Sequence, residues 1–146
     1  MRLADIMVRT VETVSPDTPA EQAYTVMRQH DCHHLVVVRD SAVVGVVSDR
    51  DFGSHRGGGV RAGHTVGELM SSRVTTAAPT TTTRQAANLM RGRSIGCLPV
   101  MDHDKLVGII TVSDLLEALG GGYERARAES KRWVLKARAP RTKAKH

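Results

Sequence analysis

Apolar residues in the first 56 positions follow two different periods. The first period is helical, with a stripe at three- and four-residue spacing formed by Ala20, Ala23, Tyr24 and Met27. Three residues at the start of this stripe predict an N-cap, a proline at the first helical position and a capping-box acid, namely Thr18, Pro19 and Glu21.

The second period is that of β-strands. Two continuous apolar runs cover residues 35–38 and 43–47, and the four residues between them predict a β-hairpin. A short β-rich run at 11–14 precedes the helical stripe, and a last helix is predicted to begin near Asp51. Residues 1–56 therefore predict a β-α-β-β-α unit with a short helical lead-in at 5–7.

The same pattern recurs when the chain is shifted by 63 residues. From Met7 and Met70 to Asp51 and Asp114, 14 of 45 aligned pairs are identical, against roughly three expected from average composition. The second copy has apolar runs at 98–101 and 106–110, and its helical stripe consists of Thr83, Ala86, Ala87 and Met90. Each copy is too short to bury a good core alone, so we expect the two to pack about a pseudo-twofold axis.

Glycine content and charge set the domain boundaries. We place unit 1 at residues 1–56, a Gly-rich linker at 57–65, unit 2 at 66–119 and a basic tail at 120–146. The tail is predicted to be partly helical, with one face formed by Tyr123, Ala126, Ser130, Trp133 and Ala137. Residues 123–146 hold nine Lys and Arg against two Asp and Glu, a net charge of +7, so the remaining chain sums to −1 within the total of +6. The basic character is therefore confined to the tail.

Composition also indicates which class of protein this is and in which compartment we expect it. Of its 146 residues, 40% are hydrophobic, which supports a real core. No segment approaches the roughly 20 apolar residues of a membrane span. Two cysteines do not make a disulfide framework, so a reduced, cytoplasmic protein without a membrane segment is expected.

Both units end on the same short motif. "GVVSDRDF" (45–52) and "GIITVSDL" (108–115) share the pattern Gly-apolar-x-Thr/Ser-x-x-Asp. Together with the lead-ins "DIM" and "ELM" and with "CLPV" at 97–100, they resemble a tandem cystathionine-β-synthase (CBS) domain pair, or Bateman module, over about residues 3–119. The resemblance implies an α+β fold of two units about a pseudo-twofold axis.

The resemblance also implies a function. Stand-alone proteins of this kind are non-catalytic regulatory or sensor modules, so we do not expect an enzyme. The implied ligand contains adenosine: AMP, ADP or ATP, with S-adenosylmethionine or NAD as alternatives, and no cofactor is required. A homodimer and an unidentified regulated protein are the implied partners.

The motif residues fit such a ligand chemically. Asp51 and Asp114 each follow a strand, where a carboxylate can accept two hydrogen bonds from vicinal ribose hydroxyls. Ser48 and Thr111, three residues earlier, offer hydroxyls where free N–H groups favour phosphate. Capping of the following helix is the alternative role, and the two roles are compatible.

The resemblance implies two clefts between the units. The first set of cleft residues combines Thr111, Ser113 and Asp114 with Val11, Glu12, His33 and His34. The second set combines Ser48, Arg50 and Asp51 with Val74, Thr75, Gly96 and Cys97. Arg50 favours phosphate in the second set, and the small Gly96 leaves room there for a base. The two histidines either narrow the first cleft or stack on a base, and either cleft can be empty.

Other chemistries have weaker support in the sequence. His30, Cys32, His33 and His34 are close along the chain, but adjacent strand residues point to opposite faces, so no metal site is predicted. The tail has few aromatics, so nucleic acid is not the favoured partner. No GxSxG, P-loop or HExxH motif occurs, and no catalytic residue is predicted. The alternative to a sensor is a dimeric scaffold with degenerate sites, whose basic tail contacts nucleic acid or an acidic partner.

Overall fold

The computed structural model describes residues 1–53 and 58–120. In chain order its elements are α1 (Leu3–Ile6), β1 (Thr13–Val14), α2 (Ala20–His30), β2 (His34–Arg39), β3 (Ala42–Ser48), α3 (Gly58–Arg61), α4 (Val66–Leu69), α5 (Thr83–Arg93), β4 (Cys97–Asp102), β5 (Lys105–Thr111) and α6 (Val112–Leu119). The predicted α+β class is confirmed. Within the described ranges no helix is long and apolar enough to cross a membrane, and the helix predicted for the tail lies outside them.

Both predicted hairpins are confirmed. β2 pairs antiparallel with β3, and β1 adds to β2 in parallel, which gives a three-stranded sheet. β4 and β5 form a separate antiparallel pair. The turn between β2 and β3 has positive φ at Asp40 (51°) and Ser41 (69°), as a two-residue type I′ hairpin loop requires.

The two units differ at their ends. In unit 2 the first strand is reduced to a single bridge between Ala77 and Val100. In unit 1 the helix predicted near Asp51 is wrong: residues 49–53 form turns, and Gly53 has a φ of +78°, which is incompatible with a continuing helix. The linker, predicted as a loop, contains the single helical turn of α3.

The start of α2 also differs from prediction. Its N-cap is Pro19, and no side chain caps it. The first helical N–H, that of Ala20, donates to the backbone oxygen of His64 at 2.8 Å. The predicted Thr18 cap is therefore wrong, because the linker backbone supplies an acceptor for the start of this helix.

The helical stripe of unit 1 is confirmed, whereas that of unit 2 is confirmed in part. Ala86 and Met90 are buried, but Thr83 is only half-buried and Ala87 is exposed. Thr83 and Ala87 line an open groove between α5 and α6. One flank of α5 thus has no described element packed over it.

Each unit is completed by the lead-in of the other. Leu3 and Ile6 of α1 are buried in one core cluster with Leu98 of unit 2. Val66 of α4 is buried in the other cluster with Phe52 of unit 1. Backbone hydrogen bonds reinforce the exchange, since the lead-ins pair with the edges of β5 and β3 at Val8–Ile109 and Ser71–Val46. Residues 71–76 therefore cross from one unit to the other, and we call them the crossing segment.

A buried arginine fastens the linker to unit 1. Arg61 is 6% exposed, and its Nε donates to Oε1 of Glu21 at 3.0 Å. Its Nη1 donates to the backbone oxygen of Phe52 at 2.9 Å, and its guanidinium carbon lies 4.0 Å from the ring centre of Tyr24. These contacts satisfy a charge that would otherwise be costly to bury.

Gly108 sits where the lead-in crosses β5, and its replacement by alanine is expected to destabilise the fold. An added Cβ would lie 2.6 Å from Sδ of Met7 and 3.1 Å from the backbone oxygen of Val8. We expect Gly108→Ala to lower the free energy of unfolding by about 1–3 kcal/mol through overpacking, measured by urea denaturation. Gly92→Ala in α5 is the matched control, because a Cβ there meets no atom within 4 Å and alanine favours the helix. Equal stability of the two variants would contradict the exchanged packing.

Candidate functional site

A cleft of about 730 Å³ lies between the two units, within the 300–1,000 Å³ typical of small-molecule sites. We call it the inter-unit cleft. Its walls come from five places: the start of β2, the end of β3 with the turn after it, the crossing segment, the loop that enters β4, and the β5–α6 junction. Both units thus contribute to one concave surface.

The motif of unit 1 stands at the end of β3. Oδ2 of Asp51 accepts hydrogen bonds from the backbone N–H of Ser48 at 2.8 Å and from its hydroxyl at 3.2 Å. Within the part of the chain that the structure describes, Oδ1 of Asp51 has no hydrogen-bond partner. The carboxylate therefore fixes the turn with one oxygen and leaves the other available to a ligand.

The motif of unit 2 forms a complete cap. Oδ2 of Asp114 accepts from the backbone N–H and the hydroxyl of Thr111, both at 2.9 Å. The backbone N–H of Asp114 donates to the Thr111 hydroxyl at 3.3 Å. This reciprocal arrangement is the capping box of α6, so the helix predicted near Asp114 is confirmed.

The structure brings one predicted set of cleft residues together and divides the other. All seven members of the second set line the inter-unit cleft: Ser48, Arg50, Asp51, Val74, Thr75, Gly96 and Cys97. Three members of the first set line the same cleft: His34, Thr111 and Ser113. The other four do not line it: Val11, Glu12, His33 and Asp114. Their assignment to a ligand stays a prediction.

His34 occupies a different place from the one expected. It was expected to narrow the first cleft, yet its Nε2 lies 3.3 Å from where a Cβ on Gly96 would stand, inside the cleft of the second set. Burial lowers the pKa of His34, an effect that nearby Asp49 opposes. The imidazole is therefore predominantly neutral at pH 7, and it narrows the space that Gly96 leaves open.

The other two histidines of the cluster, His30 and His33, each contact a carboxylate. Nδ1 of His33 lies 3.0 Å from Oδ2 of Asp49, and Nδ1 of His30 lies 3.4 Å from Oε2 of Glu12. Across the described ranges, no three His, Cys, Asp or Glu side chains are grouped so as to hold a metal ion.

Cys97 lies at the cleft but is poorly suited to nucleophilic chemistry. Its side chain is buried, and burial raises the pKa of its thiol to about 12. A thiol with such a pKa is almost entirely protonated at neutral pH, whereas the thiolate is the reactive form. Cys97 thus contributes apolar surface to the cleft.

Four polar residues of the cleft were not predicted from the sequence: Asp49, Ser71, Arg73 and Ser94. Two of them belong to the crossing segment, whose position depends on the exchange of lead-ins. The repeat alignment hides Arg73, because its counterpart in unit 1 is Thr10. The available signal was its place next to Val74 and Thr75, which were predicted.

Comparison with known proteins agrees with this architecture. The model of the CBS domain matches residues 3–53 and 66–121. The CBS domain-containing protein YhcV of Bacillus subtilis is 34% identical over 112 residues, which cover 76% of this chain and 80% of that protein. Inosine-5'-monophosphate dehydrogenase of Thermoplasma acidophilum is 35% identical over 112 residues, but these cover only 22% of that enzyme.

Solved structures of CBS-domain proteins are also similar to this chain. The CBS-domain containing protein ATU1752 from Agrobacterium tumefaciens superimposes with a TM-score of 0.73 at 26% identity, covering 81% of this chain and 98% of that one. CBSX2, crystallised in complex with AMP, superimposes with a TM-score of 0.69 at 28% identity, covering 81% and 95% respectively. The chain belongs to the CBS-domain family and carries two copies of the domain, arranged as a tandem pair.

Proposed function

We propose that this protein is a non-catalytic, cytoplasmic regulatory module that binds an adenosine-containing ligand in the inter-unit cleft. The observation that carries the proposal is the convergence of the whole second set on one cleft of suitable size. The complex of CBSX2 with AMP, at 28% identity, supports the choice of ligand class.

The proposed roles follow from the side chains. Asp51 accepts hydrogen bonds from the ribose hydroxyls through its available oxygen. Val74 and Cys97 offer apolar contact to the base, beside the neutral ring of His34. Ser48 and Arg50 lie within three residues of Asp51 in sequence, where they can reach the 5′ substituent of the same nucleoside.

Regulation would follow from the position of the cleft. A ligand held by Asp51 of unit 1 and Cys97 of unit 2 also touches the crossing segment that joins them. It shifts the relative arrangement of the units to the extent that it binds one arrangement more tightly than another. A regulated partner would respond to that shift.

We also propose that the protein is a homodimer, paired through the groove between α5 and α6. Leu116 and Leu119 on α6 are 62% and 84% exposed, and exposed apolar patches on helices mark interaction surfaces. Arg84 and Arg91 flank the groove on α5, whereas α6 carries the exposed Glu117. A twofold arrangement that sets α5 against the partner's α6 would match these charges.

Leu116→Asp is expected to convert this dimer to a monomer, because it places a carboxylate in the apolar groove. Sedimentation velocity at micromolar concentration would show the change in mass. Val60→Asp on α3 is the control, because Val60 is also an exposed apolar residue (45%, against 62% for Leu116) but lies outside the groove, and this variant should sediment as the wild type does. A monomeric wild type would contradict the proposal.

Thermal unfolding with AMP, ADP, ATP, NAD and S-adenosylmethionine tests the proposed ligand class. A ligand at 100 times its Kd stabilises the fold by about 2.7 kcal/mol, which is a measurable rise in Tm. If no ligand at millimolar concentration shifts the Tm, the sensor function is wrong and a scaffold with degenerate sites is the better account.

A further inference from the structure

We infer that the inter-unit cleft selects phosphorylated adenosine ligands over uncharged or cationic ones, and that Arg73 is the residue that sets this selection. The inference rests on the proposed function and narrows it to one ligand class.

The cleft carries two arginines without carboxylate partners. Arg50 and Arg73 both line it and are both exposed, and across the described ranges neither forms an ion pair or a side-chain hydrogen bond. Two carboxylates also line the cleft, and neither is paired with an arginine: Asp49 lies 3.0 Å from His33, and one oxygen of Asp51 accepts from Ser48. The cationic side chains are thus available to an anionic ligand.

The backbone on either side of Arg73 is fixed. Ser71 exchanges two backbone hydrogen bonds with Val46 of unit 1, at 2.9 and 3.1 Å. Ala77 donates to the backbone oxygen of Pro99 of unit 2 at 3.0 Å. Because the crossing segment is anchored on both sheets, Arg73 starts from a defined position, and less conformational entropy is lost when it binds a ligand.

The two arginines of the cleft are not repeated in the other copy of the unit. Under the 63-residue shift, Arg50 corresponds to Ser113 and Arg73 corresponds to Thr10. The residues that the repeat places at the two corresponding positions are therefore both uncharged. The presence of two arginines in the inter-unit cleft is a property of this sequence and not of the repeated fold.

Guanidinium groups suit phosphate in particular. Their planar N–H fork binds phosphate oxygens in pairs through charge-assisted hydrogen bonds. A phosphate monoester carries a charge of about −1.5 to −2 at pH 7, so its oxygens can accept hydrogen bonds from both arginines. The sulfonium of S-adenosylmethionine is cationic and would be repelled, and adenosine would gain nothing from either arginine.

Isothermal titration of adenosine, AMP and ATP into the wild type, Arg73→Gln and Arg28→Gln tests the inference. We expect the wild type to bind AMP and ATP at least tenfold more tightly than adenosine. Arg73→Gln should lower the affinity for AMP and ATP about tenfold, the loss of one charge-assisted contact, and leave adenosine within twofold. Arg28→Gln removes the same charge from an exposed position on α2 outside the cleft and should change neither.

The results separate the inference from the function it rests on. Equal affinity for adenosine and AMP, or an equal loss of both in Arg73→Gln, would overturn the phosphate selection and leave the adenosine site standing. No binding of any of the three to the wild type would overturn the proposed function and this inference together.

Discussion

Asp51→Ala is expected to weaken the binding of AMP by about a hundredfold or more. The carboxylate is the group proposed to hold both ribose hydroxyls, and each charge-assisted hydrogen bond contributes about 1.5–3 kcal/mol. Loss of two such bonds exceeds the roughly 2.7 kcal/mol that corresponds to a hundredfold change in Kd. Isothermal titration of AMP into wild type and variant measures the difference directly.

The second repeat supplies a matched control. Asp114→Ala removes the same carboxylate from the same motif and breaks the equivalent hydrogen bonds, those to Thr111, but Asp114 does not line the inter-unit cleft. We expect it to lower stability by about 1 kcal/mol and to change the Kd for AMP less than threefold. An unchanged Kd in Asp51→Ala would refute the role of this carboxylate, and equal losses in both variants would assign the effect to the lost local hydrogen bonds with Ser48 and Thr111.

Phe52→Ala is expected to lower the free energy of unfolding by about 3–5 kcal/mol. Phe52 is fully buried in the core cluster of unit 1, and its ring meets that of Tyr24 edge-on with centres 6.2 Å apart. Truncation leaves a cavity beside the buried guanidinium of Arg61, whose hydrogen bond to the Phe52 backbone fixes the linker. Urea denaturation followed by far-UV circular dichroism provides the measurement.

Phe52→Leu distinguishes the stability lost by creating a cavity from the stability lost by removing the aromatic ring. Leucine keeps most of the apolar volume, so its cost should be roughly half that of alanine or less. A Phe52→Ala variant within about 1 kcal/mol of the wild type would mean that this residue does not complete the core of unit 1.

Local patterns predicted the elements of this fold well. The hairpins and the start of α6 depend on apolar runs, turn residues and caps that act over a few positions. The repeat strengthened each assignment, because two independent stretches had to agree. The helix predicted near Asp51 failed for an equally local reason, since Gly53 adopts a positive φ and ends the turn.

Long-range packing could not be read from these patterns. The burial of Leu3 in unit 2 and of Val66 in unit 1 depends on which edge each lead-in reaches, and periodicity does not encode that choice. The position of Arg73 in the cleft follows from the same exchange. Arg61 was missed because a buried arginine needs partners from distant elements, here Glu21 and Phe52.

Hydrogen–deuterium exchange with and without saturating AMP tests whether one ligand bridges both units through the inter-unit cleft. We expect slower exchange in three separate stretches: residues 46–52, the crossing segment 71–76, and residues 94–98. Peptides from α2, which lies outside the cleft, should be unchanged. Protection confined to a single unit, or none in these stretches despite bound AMP, would contradict such bridging.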